Sequence, residues 1–100
     1  MTLEPFAVEF SKRAQKDLKR VPAPDRKKIL RKSETLCRDP FPTGKTIKRI
    51  KGVKFPCYRL RVDGEYDSYR VFYGIEDKTV LVLRIVSRKS ADKIIKSLMR

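Results

Sequence analysis

Apolar and polar positions recur along this chain with two different periods, and the change of period divides it near the middle. Phe6 to Phe10 alternates as a short strand does. Ser11 then stands where a helix needs an N-cap, ahead of Ala14, Leu18 and Val21 on one stripe, with Lys12, Arg13, Lys16, Lys19 and Arg20 left for solvent. Val21-Pro22-Ala23-Pro24 ends that helix. Pro24 is tolerable in the first turn of a second helix, where Asp25 suits the positive end, and Ile29, Ser33, Leu36 and Cys37 recur until Asp39-Pro40 stops it. The two helices form a hairpin. Phe41 to Gly44 is a turn cluster, and Thr46 to Lys51 reads as a short strand ending at Gly52.

From Cys57 the period is two. Tyr58, Leu60 and Val62 face one way while Arg59 and Arg61 face the other, and Asp63-Gly64 begins a turn. In the next strand, Tyr69 to Ile75, Tyr69, Val71, Tyr73 and Ile75 oppose Arg70 and Phe72. Asp77-Lys78 turns the chain again. Thr79 to Val86 is apolar at nearly every position, which predicts a central strand buried on both faces, with Arg84 paired to an acid inside the fold. Ser90 is placed to cap a last helix whose stripe is Ala91, Ile94, Ile95, Leu98 and Met99. The sum is an α+β fold: an N-terminal strand, a helical hairpin, a twisted antiparallel sheet of three to four strands and a C-terminal helix. All helices are expected on one side of the sheet.

Residues 1–100 suffice for one domain with a modest core. Charge adds more than length does. The chain carries 26 Lys and Arg against 12 Asp and Glu, a net charge of +14, and self-repulsion of that size calls for a polyanion or an acidic protein partner. Without a long apolar window or a signal-peptide core it reads as cytoplasmic, with no membrane partner. Cys37 and Cys57 lack the spacing of a metal site and read as two buried thiols. The strand arginines carry the candidate chemistry, because a guanidinium stays charged and its planar fork matches phosphate. Tyr58, Tyr69 and Tyr73 belong to the core, and the ten cations between Lys12 and Lys32 are wet helix faces able also to follow the phosphates of a nucleic acid.

Lys16 to Arg20 ahead of a proline, Asp39-Pro40, Ile50-Lys51-Gly52, Tyr58 to Arg61, Tyr69 to Tyr73, and Val82 to Ile85 followed by Arg88-Lys89 resemble the RelE/ParE superfamily of type II toxin-antitoxin toxins. The resemblance runs over nearly the whole chain in order and favours the RelE-like branch. It implies a RelE-like microbial RNase fold and a ribosome-dependent messenger RNA endoribonuclease that inhibits translation by attack of the ribose 2′-hydroxyl on the adjacent phosphate, with no metal or cofactor. The implied partners are a cognate acidic RelB-like antitoxin, in a hetero-oligomer, and the ribosome with its messenger RNA. A ParE-like inhibitor of DNA gyrase and a catalytically silent antitoxin-binding or RNA-binding member are the alternatives.

Carried over by position, the catalytic set is Arg59, Arg61, Arg70 and Arg88, with Lys48, Arg49, Lys51, Lys54 and Lys89 binding RNA. The chain departs from that branch in its acid-base residue. It has no histidine, Ser87 precedes Arg88, and no aromatic follows in the C-terminal segment. Tyr66, Tyr69, Glu65 and Asp67 in or beside the Gly64 to Ser68 turn remain as candidate bases. The C-terminal stripe is either ordinary packing or a lid that an antitoxin helix displaces.

Overall fold

The computed structural model describes residues 5–42 and 44–99. Strand β1 (Ala7–Phe10) leads into helices α1 (Lys12–Lys19) and α2 (Ala23–Glu34), the latter tightening into a 3-10 turn over Thr35–Cys37. Strands β2 (Ile47–Arg49), β3 (Cys57–Asp63), β4 (Ser68–Glu76) and β5 (Thr79–Ser87) follow, then a 3-10 turn at Arg88–Ser90 and helix α3 (Ala91–Leu98). The five strands form one sheet in the order β1-β5-β4-β3-β2, antiparallel from β2 to β5, with β1 added parallel to β5. Among the described residues no helix is long and apolar enough to cross a membrane.

Local chemistry explains most boundaries. Ser11 Oγ accepts from the Ala14 amide at 3.0 Å and donates to the Leu83 carbonyl at 3.0 Å, so one hydroxyl starts α1 and ties it to β5. Pro24 sits in the first turn of α2, where its missing N–H leaves no gap. Asp77 takes a left-handed φ of 53° at the tip of the β4–β5 hairpin, a conformation its short polar side chain tolerates. The Phe41 to Gly44 turn falls partly outside the described residues, at position 43.

The sheet separates two apolar layers. Against α1 and α2 lie Tyr58, Leu60, Val62, Tyr69, Val71, Tyr73, Val80, Val82 and Ile85, with Ala14, Leu18 and Ile29 from the helices. The period-two facing of β3 and β4 is therefore as expected. The three tyrosines are buried, Tyr58 and Tyr73 stacking at 5.5 Å. Cys57 is also buried, its thiol pushed up to about 11 by burial, whereas Cys37 is only half-buried, contrary to the expectation of two buried thiols; both are free.

Three expectations need correction. Helix α3 packs on the opposite side of the sheet from the hairpin, against Cys57, Phe72, Leu83 and Val86, because these side chains alternate away from the first layer and need their own cover. The strand buried on both faces is β4 rather than β5, where Leu81 stays 39% exposed because α3 stops short of it. Ser90 precedes α3 but its hydroxyl makes no capping bond, since the 3-10 turn has already brought the backbone into helical geometry there.

Candidate functional site

The face that carries α3 also carries the arginines. Arg61 pairs directly across from Arg70, and Arg59 lies opposite both Phe72 of β4 and Lys48 of β2. Arg88 opens the turn after β5, just beyond Val86, the partner of Arg70. Like charges directly across a strand pair destabilise a sheet, so this placement is unfavourable to the fold unless an anion relieves it.

Arg70 is the centre of the set. It is only 7% exposed, and its guanidinium is pulled below its ordinary pKa by burial first, then by Arg59, Arg61 and Arg88. The Arg70 Nη1 donates to Ser68 Oγ and to the Tyr69 carbonyl, each at 3.0 Å, which aims the fork rather than leaving it to rotate. The Arg59 Nε is buried with no hydrogen-bond partner. Among the described residues a single carboxylate answers these cations: Asp63 Oδ1 accepts from Ser68 Oγ at 2.7 Å and from Arg61 Nε at 3.2 Å, and these bonds hold the acid below its usual range. Four guanidiniums against one carboxylate leave a surplus of three positive charges. A tetrahedral or pentavalent phosphate is the complement of such a surface.

The structure thus brings Arg59, Arg61, Arg70 and Arg88 together, with Lys48 on the same face and Lys89 exposed beside Arg88. Arg49 alternates onto the other face, opposite Tyr58. Lys51 and Lys54 are exposed in the β2–β3 loop, at the far end of α3 from Arg88: a Cβ on Gly52 would meet the Met99 side chain at 2.6 Å. Arg61 also lines a groove of about 280 Å³ with Lys28, Lys32 and Lys45, which joins the arginine face to the cations of α2. Ser68 and Asp63 were not among the expected site residues. The two-residue period does place Asp63 with Arg59 and Arg61, and that signal was available in the sequence.

The candidate bases separate. Tyr69 lies on the hairpin face, its hydroxyl donating to Asp25 Oδ2 at 2.8 Å and its pKa raised to about 12 by burial and that carboxylate, so it is removed from the arginines and from base chemistry. Asp25 does more than favour a helix dipole. It is buried, and its oxygens also accept from the amides of Glu65 (2.6 Å) and Tyr66 (3.0 Å), which locks the β3–β4 turn onto α2. Tyr66, Glu65 and Asp67 ride on that locked turn. Arg84 is a structural residue: its Nε and Nη2 donate to Asp17 at 2.9 and 3.3 Å, and Asp17 also accepts the Ile85 amide.

Residues 8–92 match the family model described as ParE toxin of type II toxin-antitoxin system, parDE. The chain is 37% identical over 91 residues to a Methanocaldococcus jannaschii protein named RelE1, covering 88% of this chain and 96% of that one. The toxin in the crystal structure of a RelB-RelE antitoxin-toxin complex from Methanococcus jannaschii superposes with a TM-score of 0.65 at 32% identity, over 86% of this chain and 96% of that chain. A mutant of E. coli toxin RelE in the free state shares the fold, with a TM-score of 0.72 at 18% identity over 95% and 94% of the two chains.

Proposed function

Because the chain belongs to the RelE/ParE superfamily of type II toxin-antitoxin toxins, on its RelE-like side, we propose that it is a ribosome-dependent endoribonuclease that cuts messenger RNA and is held inactive by an acidic antitoxin. The observation that carries this reading is the under-neutralised cluster around buried Arg70. In the reaction the ribose 2′-oxygen forms a bond to the adjacent phosphorus while the bond to the 5′-oxygen breaks, leaving a cyclic phosphate. Negative charge accumulates on the non-bridging oxygens, where Arg70, Arg59, Arg61 and Arg88 supply fixed positive charge and donors. Arginine holds its protons too firmly to act as the base, so these four side chains act through charge and orientation, while the 2′-hydroxyl proton passes to Glu65, Asp67, Tyr66 or solvent and the leaving oxygen takes a proton in return. No metal enters this scheme.

The basic groove beside Arg61 extends the same surface toward ribosomal RNA. The protein in the M. jannaschii complex is bound to an antitoxin, and a chain of charge +14 is suited to an acidic one. The match to a ParE model keeps a second reading, inhibition of DNA gyrase, as the competitor. Induced expression in a test bacterium with primer extension on a translated transcript separates them. Growth arrest with cuts inside codons, lost in Arg61→Ala, Arg70→Ala and Arg88→Ala, supports the ribonuclease. Arrest with intact transcripts and DNA damage supports gyrase, and absence of arrest supports a silent binding module.

A further inference from the structure

A second cleft, of about 610 Å³, opens between α1, the β3–β4 turn and the start of α3. Arg13 of α1, Arg20 at its C-cap and Lys93 of α3 line it, and none of them has an ion-pair partner among the described residues. Of its two carboxylates, Asp17 is engaged by Arg84 and the Ile85 amide, and Asp67 accepts the Ser68 amide. Val21, Pro22 and Ile94 contribute apolar wall. The cleft adjoins the arginine face at the end of β5, where Ser87 and Ser90 line it on either side of Arg88 and Lys89.

Tyr66 stands at the rim, 66% exposed, and a large aromatic in that position gains nothing for the core. Yet its backbone is fixed at unusual expense. A buried carboxylate is costly unless its oxygens are satisfied, and Asp25 satisfies them with the Glu65 and Tyr66 amides and the Tyr69 hydroxyl. Gly64 completes the arrangement, since a Cβ there would lie 2.5 Å from the Asp25 carboxyl carbon. The turn is therefore anchored from within while its aromatic ring faces solvent beside unpaired cations.

From this geometry we infer that the cleft is a binding subsite for a nucleotide of single-stranded RNA, with Tyr66 as the stacking platform for one base and Arg13, Arg20 and Lys93 receiving the neighbouring phosphates. This deepens the proposed ribonuclease reading and rests on it for the identity of the polymer. The pairing of one rigid aromatic with flanking cations is what sequence-tolerant binding of a single strand requires, and each stacked base contributes strongly to affinity.

The chain contains no tryptophan, so Tyr66→Trp introduces a unique fluorophore at the rim. Titration of that variant with a ribohexanucleotide of mixed sequence should quench its emission, whereas inorganic phosphate and polyglutamate of equal charge should not. Binding measured by anisotropy of a labelled oligonucleotide should weaken roughly fivefold to a hundredfold in Tyr66→Ala and stay near the original value in Tyr66→Phe. Equal affinity in Tyr66→Ala, or quenching by polyglutamate as strong as by RNA, overturns the subsite. Arg70→Ala separates the two claims. If Tyr66→Ala weakens binding while the native chain leaves transcripts uncut, the subsite stands and the ribonuclease reading fails. If Arg70→Ala abolishes cutting while Tyr66→Ala changes neither binding nor cleavage, the reverse holds.

Discussion

At the scale of single residues, the pairing of Arg61 with Arg70 separates function from stability. A cation kept for the fold should lower stability when removed. Arg61 is exposed, its one ion pair with Asp63 is of the solvated kind that contributes little, and its nearest strand neighbour repels it. Arg61→Gln should therefore leave the melting temperature unchanged or slightly raised, while cleavage falls by about a hundredfold, the usual effect of losing one donor to a transition-state charge. Thermal melts beside the transcript assay test this, and a large fall in melting temperature would mean that Arg61 is structural. Asp25 makes the opposite case. Burial alone would push its carboxyl up, but the Glu65 and Tyr66 amides and the Tyr69 hydroxyl outweigh burial and hold it below the ordinary carboxylate range. A depressed folded pKa means stability that is fully present above the unfolded value of about 4 and lost as pH falls through the lower folded one. Melts between neutral pH and pH 2 should show this acid limb in the native chain and a flatter one in Asp25→Asn, which should also melt lower at neutral pH. Parallel curves would rule out the linkage.

At the scale of elements, the β3–β4 turn is where the described structure departs most from what a local pattern can reveal. Alternation over Tyr58 to Val62 and Tyr69 to Tyr73 was enough to assign faces, since each residue's side of a strand follows from its neighbours. The capping serine of α1 and the Asp39-Pro40 stop are likewise local signals. The bond from Asp25 to the Glu65 amide joins positions 40 residues apart, and nothing near either one announces it. The side taken by α3 was illegible for a similar reason: its stripe says that one face must be covered, but only the apolar residues left over on the arginine face, Cys57 and Phe72 among them, say where. Placing Arg59, Arg61 and Arg70 on one face followed from strand alternation and Arg88 from the family resemblance, whereas the aiming of Arg70 by Ser68 needed the hairpin register. Gly64 tests the anchored turn directly. Because a Cβ there would collide with the Asp25 carboxyl group at 2.5 Å, Gly64→Ala should destabilise the protein by about 1–3 kcal/mol, the usual cost of overpacking a tight site. Chemical denaturation measures it, and a change below about 0.5 kcal/mol, typical of a surface substitution, would show that the turn is free to shift.

At the scale of the whole molecule, charge is arranged as well as abundant. The arginine face and the α2 lysines share one groove, while Glu9, Glu76 and Asp77 gather around an apolar groove of about 570 Å³ with exposed Phe55 and Leu81. On the proposed ribonuclease reading, a net charge of +14 distributed this way would attract a polyanion and also orient it, with the arginine face meeting phosphate first. Binding to single-stranded RNA should then follow counterion release, with log K falling by about 0.7 per phosphate contact for each tenfold rise in salt. If all four arginines engage phosphate, they account for a slope of about −3, or a loss of roughly fiftyfold between 50 and 200 mM salt. Removing one such contact with Arg88→Gln should make the slope shallower by about 0.7. Glu76→Gln changes the net charge by the same single unit in the other direction, at the far groove, and should leave the slope as it is. Equal and opposite changes of slope in the two variants would mean that binding senses only the total charge, and the convergence of arginines around Arg70 would then have no part in it.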